Sequence, residues 1–235
     1  MNRILTTILV AMALGKGATC ATIKYANNGA VCTSCTSPQV ENISAIITTS
    51  TDTITVVLDN LLANPTADTQ GISGLAFVLD IVDNNTPTFS SQVGQLITIA
   101  SDGTWSNAGG AIDHWQVTNT GVTASTTSIN MDTLVAAGQK RNLVIGDPAA
   151  NNVYSAANNS IAGKFNPWIK NEGSFVIHLV GVTVNTHVTS ATFNVGTATG
   201  QGVNASVVVP EPGSWTLLSL AAIPCWFRMR RRQRS

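Results

Sequence analysis

SFVIHLV (Ser174–Val180) and, a few residues on, TSATFNVG (Thr189–Gly196) alternate residue by residue. Phe175, Ile177 and Leu179 share one face of the first, and Val176, His178 and Val180 take the other. In the second, Ala191, Phe193 and Val195 line one side against Thr192 and Asn194. A period of two is the signature of a half-buried strand. Short β-branched or aromatic runs of the same kind recur upstream: ISAIITTS (43–50), TITVVLD (53–59), LAFVLDIV (75–82), QLITIAS (95–101), HWQVTN (114–119) and NLVIG (142–146). A last one, VNASVVV, occupies 203–209. Turn-forming clusters separate them, such as DNNTP (83–87), SDGT (101–104), NAGG (107–110) and GDPAANN (146–152). No segment from 22 to 209 carries a convincing 3.6-residue repeat; NMDTLVAAGQK (130–140) is the one candidate for a helical turn or two. The pattern predicts an all-β fold, an antiparallel β-sandwich or jelly-roll-like single domain over 22–209.

Charge divides the chain. Only 10% of the 235 residues are charged, well below the roughly 25% of an ordinary soluble protein. The formal net charge is zero, but residues 22–209 hold five bases against eleven acids, a net −6. An acidic body repels phosphate backbones, so no nucleic-acid partner is expected. The remaining bases sit at the two ends.

The N-terminal end, MNRILTTILVAMALGKGATCA (1–21), has a basic Arg3, an apolar run from Ile4 to Leu14 and small residues after it. That is the layout of a secretory signal peptide, expected as a helix and cleaved after Ala21, and it implies the secretion machinery as a partner. Export places the remaining chain in an oxidising compartment. Cys20 leaves with the signal, so the body keeps Cys32 and Cys35, in VCTSCTSP. A CxxC is a zinc half-site, a redox pair or a structural disulfide. No second CxxC or HxxxH supplies further ligands, and Thr, Ser and Pro around the pair indicate a loop, so a local disulfide is the plainest expectation.

The C-terminal end has three parts: Pro210-Glu211-Pro212-Gly213, an apolar segment at 214–227 bounded by Trp215 and Trp226, and the bases Arg228, Arg230, Arg231, Arg232 and Arg234. About thirteen apolar-rich residues at 1.5 Å each span roughly 20 Å, short of a ~30 Å hydrocarbon core. Pro224 weakens the last turn. A short transmembrane helix, held by arginines on the cytoplasmic side, suits brief retention. The three-part whole resembles the PEP-CTERM sorting signal. That resemblance implies an exosortase-type membrane enzyme that recognises Pro210 to Pro212 and removes the tail. It also implies a cell-surface or extracellular destination and association with exopolysaccharide and biofilm. Residues 142–197 are similar to the distal half of uncharacterised ectodomains that precede such tails, and no catalytic motif comes with that likeness.

The body offers little chemistry. GISGL (71–75) fails the GxSxG nucleophile elbow. Asp113 and His114 are adjacent, and on a strand they would point to opposite faces. His178 and His187 lie on neighbouring strand candidates and would approach across a hairpin. Glu41 and Glu172 are the only glutamates between 22 and 209. Asp80 and Asp83, in LDIVDNNT, are candidate calcium ligands at a strand end, without EF-hand spacing. Trp105, Trp115 and Trp168 lie near polar loops and are candidates for stacking on sugars. No catalytic residue, metal centre or cofactor other than calcium is identified. The expectation is an exported, non-enzymatic surface or matrix protein. The alternative is a secreted carbohydrate-active hydrolase or carbohydrate-binding module.

Overall fold

A computed structural model describes residues 20–35, 39–134, 142–155, 157, 161–163 and 165–208. The first nineteen residues of the expected signal, the sorting tail and most of the apolar half of NMDTLVAAGQK lie outside them. Among the described residues no helix is long and apolar enough to cross a membrane.

The described chain is all-β. Its strands are β1 (Ala21–Val31), β2 (Val40–Ser50), β3 (Thr53–Asn60), β4 (Ile72–Leu79), β5 (Thr88–Ile99), β6 (Trp105–Asn107) and β7 (Gln116–Val122). There follow β8 (Thr127–Asp132), β9 (Val144–Ile145), β10 (Trp168–His178), β11 (Val188–Val195), β12 (Gly202–Asn204) and β13 (Ser206–Val207). A single 3₁₀ turn occupies Asp68–Gln70. Asn130 to Asp132, read above as the start of a helical turn, instead ends β8 and pairs with β4 and β7. Two long-range ladders override the local signal there.

Pairing runs β12-β11-β4-β9-β10-β3-β2-β1-β13, with β5 and β6 on the free side of β10 and β8 and β7 on that of β4. Ala205 alone separates β12 from β13, so the path returns to its starting point. The sheet is mixed. Two-residue β9 runs parallel to β10 through Val144↔Ile169 and Lys170↔Ile145, and meets β4 at Ile72. The other ladders are antiparallel.

The alternation read at Phe175, Ile177 and Leu179 and at Ala191, Phe193 and Val195 decides the interior: all six are buried. They join Ile43, Ala45 and Ile47 of β2, Ile54, Val56 and Leu58 of β3, and Leu75, Phe77 and Leu79 of β4 in one apolar cluster. The Tyr25 hydroxyl of β1 reaches across to donate to the Val188 carbonyl at the start of β11, 3.0 Å away. A second cluster gathers Ile97, Ile99, Leu143, Tyr154 and Phe165 around Trp168. Asn60, buried at the end of β3, fastens three segments. Its Nδ2 donates to the carbonyls of Gln70 (2.8 Å) and Val144 (3.0 Å), and its Oδ1 accepts from the Leu62 amide. Buried amides retain their place only when so satisfied. The β2–β3 hairpin turns on Thr51-Asp52, with Asp52 left-handed (φ 52°). Its carboxylate accepts from the Gly181 amide at 2.8 Å, and its backbone bonds Leu179 and Val182.

Candidate functional site

The sorting residues Pro210 to Gly213 and the arginines from Arg228 to Arg234 lie outside the described residues. Cys32 and Cys35 form a disulfide, and both are buried. The intervening loop docks on β12, where Ser34 Oγ accepts from the Gly202 amide at 3.1 Å. Reactive cysteines sit in partly exposed, electropositive surroundings; these sulfurs do not, and the pair reads as a structural staple.

Asp80 and Asp83 serve different backbone turns. Asp80 Oδ1 accepts from the His187 amide at 2.6 Å, and Asp83 Oδ1 accepts from the Asn85 amide at 2.8 Å. Among the described residues no three His, Cys, Asp or Glu side chains gather as a metal-holding group. His178 and His187 do not meet across a hairpin, because β10 pairs with β3, β5 and β9 whereas β11 pairs with β4 and β12. Asp113 and His114 do approach, with Oδ1 and Nε2 3.2 Å apart. They occupy a bend ahead of β7 rather than a strand, so the opposite-face rule does not apply to them.

The tryptophan expectation is corrected. Trp168 is 0% exposed and Trp115 3%. Their indole N–H groups are spent on the carbonyls of Ile161 and Asn142, each at 2.8 Å. Neither ring can stack on a sugar. Flanking polar loops misled the reading, since those loops fold over the rings. Trp105 is half-buried. Its ring packs on the second core cluster and carries the Lys170 ammonium 5.1 Å from its centroid. That ammonium also bonds Asp147 at 2.9 Å, which, with the Asn171 amide, holds the Asp147 carboxyl below the usual range.

Two carboxylates meet that sequence reading did not pair. Glu172 of β10 stands directly opposite Asp59 of β3, in an outward row with Val57 and Ser174. Burial, reinforced by Glu172, pushes the Asp59 carboxyl up, and Lys24 partly offsets this. Only the register of two strands more than a hundred residues apart creates this pair. Glu41 is the other unusual acid. It takes the inward parity of Ile43, Ala45 and Ile47 in β2 and is fully buried; among the described residues neither carboxylate oxygen has a hydrogen-bond partner. Desolvation pushes its pKa up to about 8.

A polar groove of about 620 Å³ is walled by residues 84–86 on one side and 117–122 of β7 on the other. Its walls are fastened together. Asn119 Nδ2 donates to the Asp83 carbonyl at 3.0 Å, and the Thr127 hydroxyl holds Ile81 and Asp83 at 2.8 Å. A smaller, more apolar cleft of about 240 Å³ lies where the start of β1 meets Thr186 to Val188.

No protein-family model and no curated protein matches the chain. Among solved structures, a pore-forming protein aligns over 82% of this chain and 87% of its own at 9% identity, with a TM-score of 0.19. Clostridium perfringens delta-toxin aligns over 80% and 86%, also at 9% identity, with a TM-score of 0.20.

Proposed function

We propose that this chain is an exported, non-enzymatic component of a bacterial cell surface or extracellular matrix. It is carried across the inner membrane by its signal, held briefly by the apolar segment at 214–227, and processed by an exosortase-type enzyme at Pro210 to Pro212. It then associates with exopolysaccharide or biofilm. The observation that carries this reading is the three-part tail, because Pro-Glu-Pro-Gly, a short apolar run and an arginine stop occur together and in order. The Cys32–Cys35 disulfide supports an oxidising destination. The same reading takes the body as a two-layered β-sandwich, supported by the returning strand path and by the shared core of β1–β3 and β10 with β4, β8 and β11.

The test is mass mapping of both ends of the protein recovered from cells and from medium. The expected product begins near Thr22 and ends near the Pro210–Gly213 motif. Intact chain, soluble in the cytosol with both ends present, overturns the proposal.

A further inference from the structure

We infer that the groove between residues 84–86 and β7 is a binding site for a segment of uncharged polysaccharide. The inference deepens the exopolysaccharide reading above and rests on it for where the ligand is met; the groove's chemistry stands on its own geometry. Its volume of about 620 Å³ falls within the roughly 300–1,000 Å³ of small-ligand sites. Among the described residues no ionisable side chain lines it. Asn84, Asn85 and Thr86 line one wall, and Thr118, Asn119 and Thr120 line the other. Asn119 is spent on the Asp83 carbonyl and the Gly121 amide, and the Thr118 and Thr120 hydroxyls donate to β8 carbonyls, so these hydroxyls offer acceptor oxygens while Asn84 and Thr86 offer both donors and acceptors. Amides and hydroxyls both donate and accept, as sugar hydroxyls require. Val117 and Val122 add apolar patches for the C–H faces of a pyranose.

The lining selects against other ligands. Uronates and phosphates need a cation in the wall, and the body's net charge of −6 opposes them. An extended peptide would add to the edge of β7, which among the described residues pairs with β8 alone. That edge is bent by a register shift between Asn119 and Gly121, a device that discourages strand addition. The groove is also preformed. Asn85 Nδ2 donates to the Val180 carbonyl at 3.3 Å, and the Thr120 hydroxyl to the Ser128 carbonyl at 3.2 Å, leaving their oxygens as acceptors.

Gly121 supplies a clean test. A Cβ there meets nothing within 4 Å, and its φ lies outside the left-handed region, so Gly121→Phe adds a bulky ring at the groove's lining without a clash at Cβ. Full-length protein is titrated with neutral gluco-, manno- and galacto-oligosaccharides, with oligouronates, and with an extended Thr/Val peptide. Binding is followed by calorimetry and, for the wild type, by amide NMR shifts. The expected result is binding of a neutral oligosaccharide with shifts centred on 84–86 and 117–122. Affinity should fall about tenfold or more in Gly121→Phe and several-fold in the double variant Asn84→Ala/Thr86→Ala, with unchanged melting temperatures. No neutral binding, equal binding by Gly121→Phe, or preference for uronate or peptide overturns the inference. Failure here with both ends processed as expected leaves the export reading standing. Neutral-sugar binding by a chain that is never exported sinks the export reading alone.

Discussion

Tyr25 and Val188 are 163 positions apart, and the hydroxyl of one donates to the buried carbonyl of the other at 3.0 Å. The bond ties β1 to the start of β11 across the core. Tyr25→Phe keeps the ring and removes the donor, leaving that carbonyl without this bond. The expected cost is about 1–3 kcal/mol in urea unfolding, with no change in the slope against denaturant. A variant as stable as the wild type would show that water or another donor already serves Val188.

Glu41 makes stability depend on pH. Its carboxyl titrates near the ordinary 4.5 in the unfolded chain and at about 8 when folded. Below 4.5 both states are protonated and no penalty applies. As pH rises from there towards 8, the unfolded chain releases its proton and the folded chain resists, so stability falls, on the order of a few kcal/mol in all. Glu41→Gln should flatten melting temperature against pH across that window. Parallel curves for the two proteins would refute the assignment.

The Cys32–Cys35 bond closes a very short loop, so its effect on the unfolded chain is small, under about 2 kcal/mol. A Cys32→Ser/Cys35→Ser protein should fold, with faster amide exchange confined to residues 32–35 and to Gly202, where that loop docks. Global unfolding of the double variant would mean that the staple organises far more of β1 and β12 than its own loop.

Asp59 and Glu172 oppose one another as like charges on adjacent strands. Such pairs are destabilising, so Glu172→Gln should raise stability by about 0.2–1 kcal/mol, and Glu172→Lys should do the same or better. The pair also discriminates against the hydrolase alternative. If these carboxylates perform acid–base work, Glu172→Gln abolishes a measurable glycosidase activity; on the non-enzymatic reading there is none to lose.

Much of the sheet was legible because burial on one face imposes period two. Phe175 and Ile177, and likewise Phe193 and Val195, share a buried face as their alternation required. β1 was not legible, since Lys24, Asn27, Asn28 and Gly29 break its apolar signal; Tyr25 is its only large residue buried in the core. β8 hid behind Asn130 and Asp132 for the same reason. The pairing partners were beyond reach. β10 finds β3 and β5 rather than the following strand, and no local pattern encodes that choice. The groove was equally hidden, because its two walls lie thirty residues apart and carry Asn and Thr that resemble ordinary turn residues.

β1 and β13 pair through Tyr25↔Val207 and Ala26↔Ser206, and the Val208 amide reaches the Lys24 carbonyl. The seam is thus sewn from the earliest and the latest parts of the body to leave the ribosome. Without β13, β1 lacks its second neighbour, and without β12, β11 lacks its outer one. A truncation ending before β12 would therefore leave two unguarded sheet edges at once.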